Sequence, residues 1–301
     1  MTSSTSKKRA VYRWLLFAAT LAALGWFIAR NSTDILRHSI PWHGPLFIFA
    51  FFAVAAAYLV KFGAWTRLAS TMGLSAPLSK AGRAYFLSIL GRYIPGKLGL
   101  ALIRVEAYEG HAPRKVVMAT AMELIIALTA ALLLALVGLA TSPASFPSYL
   151  RWAPLVIIIP LLIALSPPLV RRAVNTILRL AGREELDRFP SYRANLLFVL
   201  LYTLPGFLHG LGLFFVLNTL CHVPVSHYLT VTGIYYAANF IGVVAIFAPG
   251  GLGVREGILF LVLPALVGKE NAILAAILIR LITVAAELAL ASVFAAIARR
   301  R

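Results

Sequence analysis

The stretch PGGLGVRE, at residues 249–256, interrupts a long apolar run in which a regular membrane helix would otherwise be expected. Proline has no backbone N–H and glycine weakens a helix, so this stretch must break regular structure. Its breaking residues are Pro249, Gly250, Gly251 and Gly253. Irregular backbone at membrane depth persists only where protein or a water-filled cavity surrounds it. Arg255 and Glu256 follow directly, and the cost of placing two ionisable groups there indicates a functional role.

A related stretch, PGKLGL at residues 95–100, lies in the first half of the chain and shares the pattern Pro-Gly-x-Leu-Gly. Its breaking residues are Pro95, Gly96 and Gly99. The apolar arms on either side of this break are each shorter than the ~20 residues that a crossing helix needs. Residues 84–108 are therefore predicted to form a re-entrant hairpin, and residues 227–267 are predicted to form a second one.

The composition is that of a polytopic membrane protein. Of 301 residues, 61% are hydrophobic and 13% are charged, whereas soluble domains are about half apolar and about a quarter charged. The net charge of +18 does not indicate a nucleic-acid partner, because the basic residues are spread between hydrophobic runs. Such residues orient membrane proteins and contact anionic lipid headgroups. The single cysteine, Cys221, excludes an internal disulfide, and the scattered histidines predict neither a metal site nor a cofactor.

The hydrophobic pattern predicts an all-α protein with about six transmembrane helices plus the two broken hairpins. The predicted spans are residues 12–29, 45–60, 116–139, 152–169, 194–220 and 271–298. Residues 171–193 follow the fourth span and place apolar and basic side chains on opposite helical faces. This segment is interpreted either as an interfacial basic helix ending near Gly182 or as a solvated loop helix.

The distribution of lysine and arginine predicts the topology. If the N-terminus is cytoplasmic and both hairpins return to the side they entered, nineteen basic residues lie inside and four outside. This is a strong positive-inside signal, and it places both termini in the cytoplasm. Residues 1–301 then form one transmembrane domain whose repeats, 12–139 and 152–298, each contain three spans and one hairpin. An odd number of spans inverts the second repeat, which is a layout typical of secondary transporters.

Several ionisable residues at membrane depth are predicted to contact a polar substrate headgroup. The predicted substrate-binding set is Arg92, Lys97, Glu123, Arg255, Glu256, Arg280 and Glu287. The alternative is that they form buried ion pairs that hold the helices in register, with Glu123 and Glu287 acting as counter-ions or proton carriers. Arg280, Thr283 and Glu287 share one helical face. Arg104 and Glu106 are predicted to lie near the cytoplasmic surface and to be solvated.

The stretches GRYIPGK at residues 91–97 and PGGLGVRE at residues 249–256 together resemble the two signatures of the lysylphosphatidylglycerol synthase transmembrane-region family of flippase-like membrane proteins. The resemblance extends over residues 12–298, and Glu123 lies where the family tends to place an acidic residue. It implies translocation of a phospholipid, an isoprenoid-linked lipid or another envelope lipid in a bacterial cytoplasmic (inner) membrane. It also allows partner proteins from envelope biosynthesis. The best-known relatives carry a soluble aminoacyl-transferase domain that these 301 residues do not contain, so synthase activity is not implied.

Three hypotheses remain open from the sequence. The leading one is a flippase that moves a polar-headgroup lipid between leaflets through a cavity between the hairpins, without ATP hydrolysis, because no Walker-type loop is present. The second is a non-catalytic scaffold or accessory subunit of a lipid-synthesis or envelope-synthesis complex. The third is an intramembrane lipid-modifying enzyme. The chain is not expected to be an enzyme, because no nucleophile–base or metal pattern has suitable spacing and both aspartates, Asp34 and Asp187, lie outside the apolar core.

Overall fold

The computed structural model describes residues 44–91, 98–106, 108–142, 156–163, 165–180, 182, 184–185, 189–245 and 248–299, and all regular structure in these ranges is helical. In chain order the helices are α1 (Gly44–Thr71), α2 (Leu78–Leu90), α3 (Leu98–Val105), α4 (Pro113–Ala140), α5 (Val156–Ile163), α6 (Pro167–Leu180), α7 (Tyr192–Leu220), α8 (Tyr228–Val244), α9 (Val254–Val262), α10 (Pro264–Val267) and α11 (Lys269–Arg299). Single 3-10 turns lie at Val225–His227 and Pro249–Gly251.

Four of the described helices, α1, α4, α7 and α11, are long and apolar enough to cross a membrane. Each has 28 to 31 residues and is therefore roughly 42 Å long or more, which exceeds a hydrocarbon core of about 30 Å. They correspond to the second, third, fifth and sixth predicted spans, and α1 continues beyond the predicted end at residue 60 as far as Thr71. The first predicted span, residues 12–29, lies outside the described residues.

The fourth predicted span, residues 152–169, contains a bend that was not predicted from the sequence. Helix α5 ends at Ile163, and α6 begins at Pro167 with its axis bent by 69° from that of α5. The cause is the sequence Ser166-Pro167-Pro168, since proline disfavours helical backbone in the residue before it and favours the first position of a new helix. The amide Nδ2 of Asn195 on α7 donates a hydrogen bond of 2.8 Å to the carbonyl of Leu165 at this bend.

Helix α6 is the amphipathic segment that the sequence predicted after the fourth span. It begins earlier than predicted and ends at Leu180, two residues before Gly182. Gly182 has a φ of 64°, the left-handed conformation that glycine adopts without strain after a helix. Arg171, Arg172 and Arg179 are exposed, whereas Val170 is buried and Val174 is partly buried. The helix is therefore amphipathic, and its location at the membrane interface stays a prediction.

The second Pro-Gly stretch breaks the helix, as predicted. Helix α8 ends at Val244, and α9 begins only at Val254. Gly250, Gly251 and Gly253 have φ values of 61°, 72° and 78°, a region that residues with a Cβ rarely occupy. Residues 95–97 of the first Pro-Gly stretch lie outside the described residues; α2 ends before the stretch, at Leu90, and α3 begins within it, at Leu98.

Most of the contacts between helices are reproduced when the two halves of the chain are exchanged, although α7 packs on α8 far more extensively than α1 packs on α2. Helix α1 packs along α7, α4 packs along α8, and α2 packs along α11. Exchanging α1 with α7, α2 with α8 and α4 with α11 reproduces these contacts. The same exchange relates the α4–α7 contact to the α1–α11 contact, and the α8–α9 contact to the α2–α3 contact.

Small residues permit the closest of these contacts. At the crossing of α4 and α8, a Cβ on Gly138 would lie 2.1 Å from the carbonyl oxygen of Leu229 and 2.6 Å from the Cα of Gly233. Backbones can approach this closely only without side chains between them, which is how membrane helices gain packing energy in a lipid solvent. The outward surface of α1 exposes large apolar side chains such as Ile48, Phe49 and Phe52, as expected of lipid-facing positions.

Candidate functional site

The side chain of Arg255 lies against two glycines at the break between α8 and α9. A Cβ on Gly242 would lie 2.4 Å from Arg255 Cγ, and a Cβ on Gly251 would lie 2.9 Å from Arg255 Nε. Gly242 belongs to α8 and Gly251 to the 3-10 turn, so both sides of the break support the arginine. Arg255 is only partly buried. The glycines thus let a long cationic side chain lie along the broken backbone.

Glu256 connects this break to the last helix. Its Oε2 accepts a hydrogen bond of 2.8 Å from the backbone N–H of Gly253, which stabilises the first turn of α9. Its Oε1 lies 3.6 Å from Nε of Arg280 on α11. Both charged side chains are about 95% buried. A buried pair of this kind fixes the position of α9 against α11, because separating the charges would leave each one desolvated and unpaired.

Arg104 and Glu123 form a second buried ion pair, which joins α3 to α4. Arg104 is 2% exposed and Glu123 is 8% exposed, so the prediction that Arg104 is solvated is wrong. Nε of Arg104 donates a hydrogen bond of 3.0 Å to the hydroxyl of Ser88, and its guanidinium lies 3.9 Å from the ring centroid of Trp65. Arg104 is buried because a carboxylate, a hydroxyl and an aromatic face replace the water it loses.

Tyrosines complete the environment of Glu123. The hydroxyl of Tyr202 on α7 donates a hydrogen bond of 2.9 Å to Glu123 Oε1, and that of Tyr85 on α2 donates one of 3.4 Å to the same oxygen. The guanidinium of Arg104 also lies 4.8 Å from the ring centroid of Tyr85. Four helices, α2, α3, α4 and α7, therefore meet at one carboxylate.

A third polar group lies between these two pairs. Glu287 on α11 is 1% exposed and accepts a hydrogen bond from the hydroxyl of Tyr58 on α1. The ring of Tyr58 packs edge-on against the ring of His209 on α7, with 5.1 Å between the centroids. His209 Nδ1 lies 2.8 Å from the carbonyl oxygen of Pro205 and 3.3 Å from the hydroxyl of Tyr236.

Helix geometry places the three groups in series. Glu287 and Arg280 are seven residues apart on α11, and His209 and Tyr202 are seven residues apart on α7, so each pair shares a face about 10 Å apart. We call this arrangement the polar column; it comprises Arg104, Glu123, Tyr202, His209, Tyr58, Glu287, Arg280 and Glu256. It runs between the long helices and brings together side chains from six helices: α1, α3, α4, α7, α9 and α11.

The structure brings five of the predicted substrate-binding residues to the column or to the break beside it. These are Glu123, Arg255, Glu256, Arg280 and Glu287. Arg92 and Lys97 lie outside the described residues, as do the breaking residues Pro95 and Gly96. Gly99 lies in the first turn of α3. Thr283, predicted to share a face with Arg280 and Glu287, is likewise buried. Glu106 is exposed, as predicted.

Sequence reasoning missed Arg104 and the side chains that hydrogen-bond to the carboxylates. The missed residues are Tyr58, Tyr85, Arg104, Tyr202 and His209. Tyr202 and His209 carried a usable signal, because two polar side chains seven residues apart in an otherwise apolar helix mark one face. Arg104 carried none, because its distance from the membrane surface depends on how α3 is tilted.

The described residues contain no group of three histidine, cysteine, aspartate or glutamate side chains able to hold a metal ion. Outside the spans, Arg114 at the start of α4 lies 2.5 Å from Glu184 in the segment after α6. The hydrogen bond and the charge of Arg114 lower the pKa of Glu184. This contact ties the end of the amphipathic segment to the first turn of α4.

Comparison with known proteins gives the chain a family. No curated protein matches it. The family model for the lysylphosphatidylglycerol synthase transmembrane region matches residues 8–291, which include both Pro-Gly stretches and every residue of the polar column. The chain therefore belongs to the lysylphosphatidylglycerol synthase transmembrane-region family, a family of integral membrane proteins linked to lipid modification and translocation.

Proposed function

We propose that the protein is a flippase that moves a polar-headgroup lipid between the leaflets of a bacterial cytoplasmic membrane. The observation that carries this proposal is Arg255, a partly buried arginine whose side chain lies against Gly242 and Gly251 where membrane helix structure is broken. A planar guanidinium forms paired hydrogen bonds with phosphate or carboxylate oxygens. Arg255 therefore receives the headgroup while the acyl chains remain in the bilayer.

The route for the headgroup is the polar column, and the moving parts are two inverted repeats. Residues 12–139 and 152–298 form the repeats within one transmembrane domain, each with three spans and a re-entrant element at 84–108 or 227–267. The exchangeable packing pattern supports this division. So do the two buried ion pairs, because each joins the helix after a Pro-Gly stretch to the next long helix. The charges are reversed, with Arg104 facing Glu123 in one half and Glu256 facing Arg280 in the other.

In this mechanism each ion pair closes one end of the column, and the two ends open alternately. A headgroup bound at Arg255 competes electrostatically for Arg280, which loosens the contact of α9 with α11. The two halves then rock against each other around the column, as in other transporters built from inverted repeats. The chain itself catalyses no reaction, and both termini lie in the cytoplasm. An ion gradient, a lipid gradient or a partner from envelope biosynthesis supplies the drive.

Leaflet exchange in proteoliposomes tests the proposal. Purified protein is reconstituted with fluorescent phosphatidylglycerol, phosphatidylcholine or an isoprenoid phosphate, with and without a proton gradient, and the outer-leaflet label is quenched chemically. Wild-type protein is expected to exchange at least one of the anionic lipids. Arg255→Ala removes the guanidinium, and Gly242→Ala displaces it while keeping its charge, so both variants are expected to reduce the exchange rate at least tenfold.

Arg83→Ala is the matched control, because Arg83 is an exposed arginine on α2 that belongs to neither the column nor the break. This variant should exchange lipid at the wild-type rate. Thermal unfolding and size-exclusion profiles establish that each variant is folded. Absence of exchange by folded wild-type protein with every lipid would contradict the flippase proposal and favour the scaffold hypothesis. Equal exchange rates for the Arg255→Ala variant and the wild type would show that the break between α8 and α9 is not part of the translocation pathway.

A further inference from the structure

A groove of about 570 Å³ runs beside α6 and shares no lining residue with the polar column. Three arginines of α6 line it: Arg171, Arg172 and Arg179. All three are exposed. They occupy one face of the amphipathic helix, because positions 171, 172, 175 and 179 fall within one arc of a helix with 3.6 residues per turn.

The groove keeps an excess of positive charge. Nη2 of Arg179 lies 2.7 Å from Oε1 of Glu185, and Nδ2 of Asn175 donates a hydrogen bond of 3.3 Å to Oε2 of the same carboxylate. Arg171 and Arg172 form no ion pair with any residue in the described ranges. The guanidinium groups of Arg171 and Arg172 can therefore neutralise a bound anion with one or two negative charges. Their planar arrangement of N–H donors suits the oxygens of a phosphate group.

The setting of α6 is that of a membrane surface. Helix α5 exposes large apolar side chains, among them Val156 and Ile159, as a lipid-facing helix does. Helix α6 leaves it at 69°, so when α5 stands upright in the bilayer α6 runs close to the membrane plane. Leu180 is 84% exposed and Leu169 is 47% exposed. Exposed leucines beside exposed arginines are the pattern of a helix at the boundary between headgroups and acyl chains.

We infer that this groove binds the phosphate headgroup of an anionic phospholipid from the adjoining leaflet. Arg171 and Arg172 contact the phosphate, and the acyl chains pass over Leu169 and Leu180 into the bilayer. Glu185 limits the affinity by neutralising Arg179. The inference goes beyond the proposed function, because such a site holds a lipid whether or not that lipid is transported. It places a second lipid site at the surface, separate from Arg255.

Lipid retention by the full chain tests the inference. Detergent-purified protein is mixed with phosphatidylglycerol or phosphatidylcholine of the same acyl chains, and bound lipid is counted by native mass spectrometry. Wild-type protein should retain phosphatidylglycerol preferentially. The double variant Arg171→Gln/Arg172→Gln should weaken that retention at least tenfold, since each cation near an anionic lipid contributes about fivefold. Glu185→Gln should strengthen it, because Arg179 then adds its charge while the amide can still accept from Asn175.

The matched control is Arg67→Gln/Arg83→Gln, which removes the same charge from exposed positions on α1 and α2 and should leave retention unchanged. Equal losses in the two double variants would show a diffuse charge effect and overturn the inference. Equal retention of both lipids by wild-type protein would also overturn it. Displacement of phosphatidylglycerol by millimolar inorganic phosphate would assign the groove to a soluble anion instead. None of these outcomes depends on leaflet exchange, so a negative result for lipid retention would not contradict the flippase proposal.

Discussion

At the scale of single residues, the buried charges depend on neighbours that replace their hydration. Arg104 has Glu123, Ser88 and the faces of Trp65 and Tyr85 within contact distance. Glu256 has a backbone N–H on one oxygen and Arg280 near the other. Such pairs contribute little net stability compared with apolar residues of the same volume. Their presence in a membrane interior is better explained by the specific positioning of the helices that they join.

Removing one member of the first pair should cost far more stability than removing both. Arg104→Met leaves the Glu123 carboxylate buried without its cation, and Glu123→Met leaves the guanidinium without its anion. Each single variant is expected to lower the free energy of unfolding by about 3–5 kcal/mol. The double variant should be less destabilised than the sum of the two singles by about 2 kcal/mol or more, since neither charge is then stranded.

Unfolding in mixed micelles, followed by circular dichroism, measures these differences. Arg83→Met, at an exposed position of α2, is the control and should change the free energy of unfolding by no more than about 0.5 kcal/mol. Additive effects of the two single substitutions would show that Arg104 and Glu123 do not interact in the folded protein.

At the scale of helices, close packing depends on residues without side chains at the crossing points. The α4–α8 crossing brings Gly138 and Gly233 together at backbone distance. The α7 helix uses the same device twice, because a Cβ on Gly206 would lie 2.0 Å from Leu134 and one on Gly210 would lie 2.1 Å from Thr232. These glycines hold α4, α7 and α8 together around Tyr202 and His209, so packing and the polar column are set by the same contacts.

Substitution at the crossing should therefore destabilise the bundle. A Cβ on Gly233 would lie 2.7 Å from the Cα of Gly138, and that backbone cannot move without separating α4 from α8. Gly233→Ala is expected to lower the free energy of unfolding by about 1–3 kcal/mol. Gly63→Ala, in α1, is the control because nothing lies within 4 Å of the added methyl group; it should be neutral or stabilising by about 0.5–1 kcal/mol. Thermal unfolding of both variants in detergent gives the comparison, and equal melting temperatures would contradict the close crossing.

At the scale of the whole molecule, the proposed topology places the loop between α1 and α2 and the loop between α7 and α8 on opposite sides of the membrane. Ser75 lies in the first loop and Ser226 in the second, and both are exposed. Each loop precedes the first arm of one proposed hairpin. An inverted repeat requires these two loops to face opposite compartments, which makes them a direct reporter of the arrangement.

Labelling with a membrane-impermeant thiol reagent tests this arrangement. The single native cysteine, Cys221, is first replaced by serine, because it lies at the start of the second loop and would contribute its own signal. Ser226→Cys should then react in intact cells, whereas Ser75→Cys should react only after permeabilisation. Reaction of both introduced cysteines from the same side would contradict the inverted repeat. Wild-type Cys221 should react more slowly than Cys introduced at position 226, since burial raises the pKa of its thiol and lowers its thiolate fraction.

The sequence by itself determined the class of protein, four of the long helices and the break at residues 249–253. These features are local, because hydropathy over twenty residues identifies a span and because proline and glycine act on their own backbone. The family was likewise accessible, since the two Pro-Gly stretches carry the resemblance and the family model covers residues 8–291. The bend within the fourth span was missed because its run of apolar residues continues past Pro167 and Pro168, where the helix axis turns.

Only the tertiary structure decided which polar residues meet. In a lipid solvent α4, α7 and α11 are apolar on nearly every face, so no periodicity in the sequence marks the side that packs inward. Three contacts depend on helix tilt and on crossing points between residues far apart in the chain. They are the pairing of Arg104 with Glu123, the hydrogen bond from Tyr58 to Glu287, and the packing of Arg255 against Gly242 and Gly251. A single sequence shows which buried polar residues need a partner, but the packing of the helices determines which partner each one has.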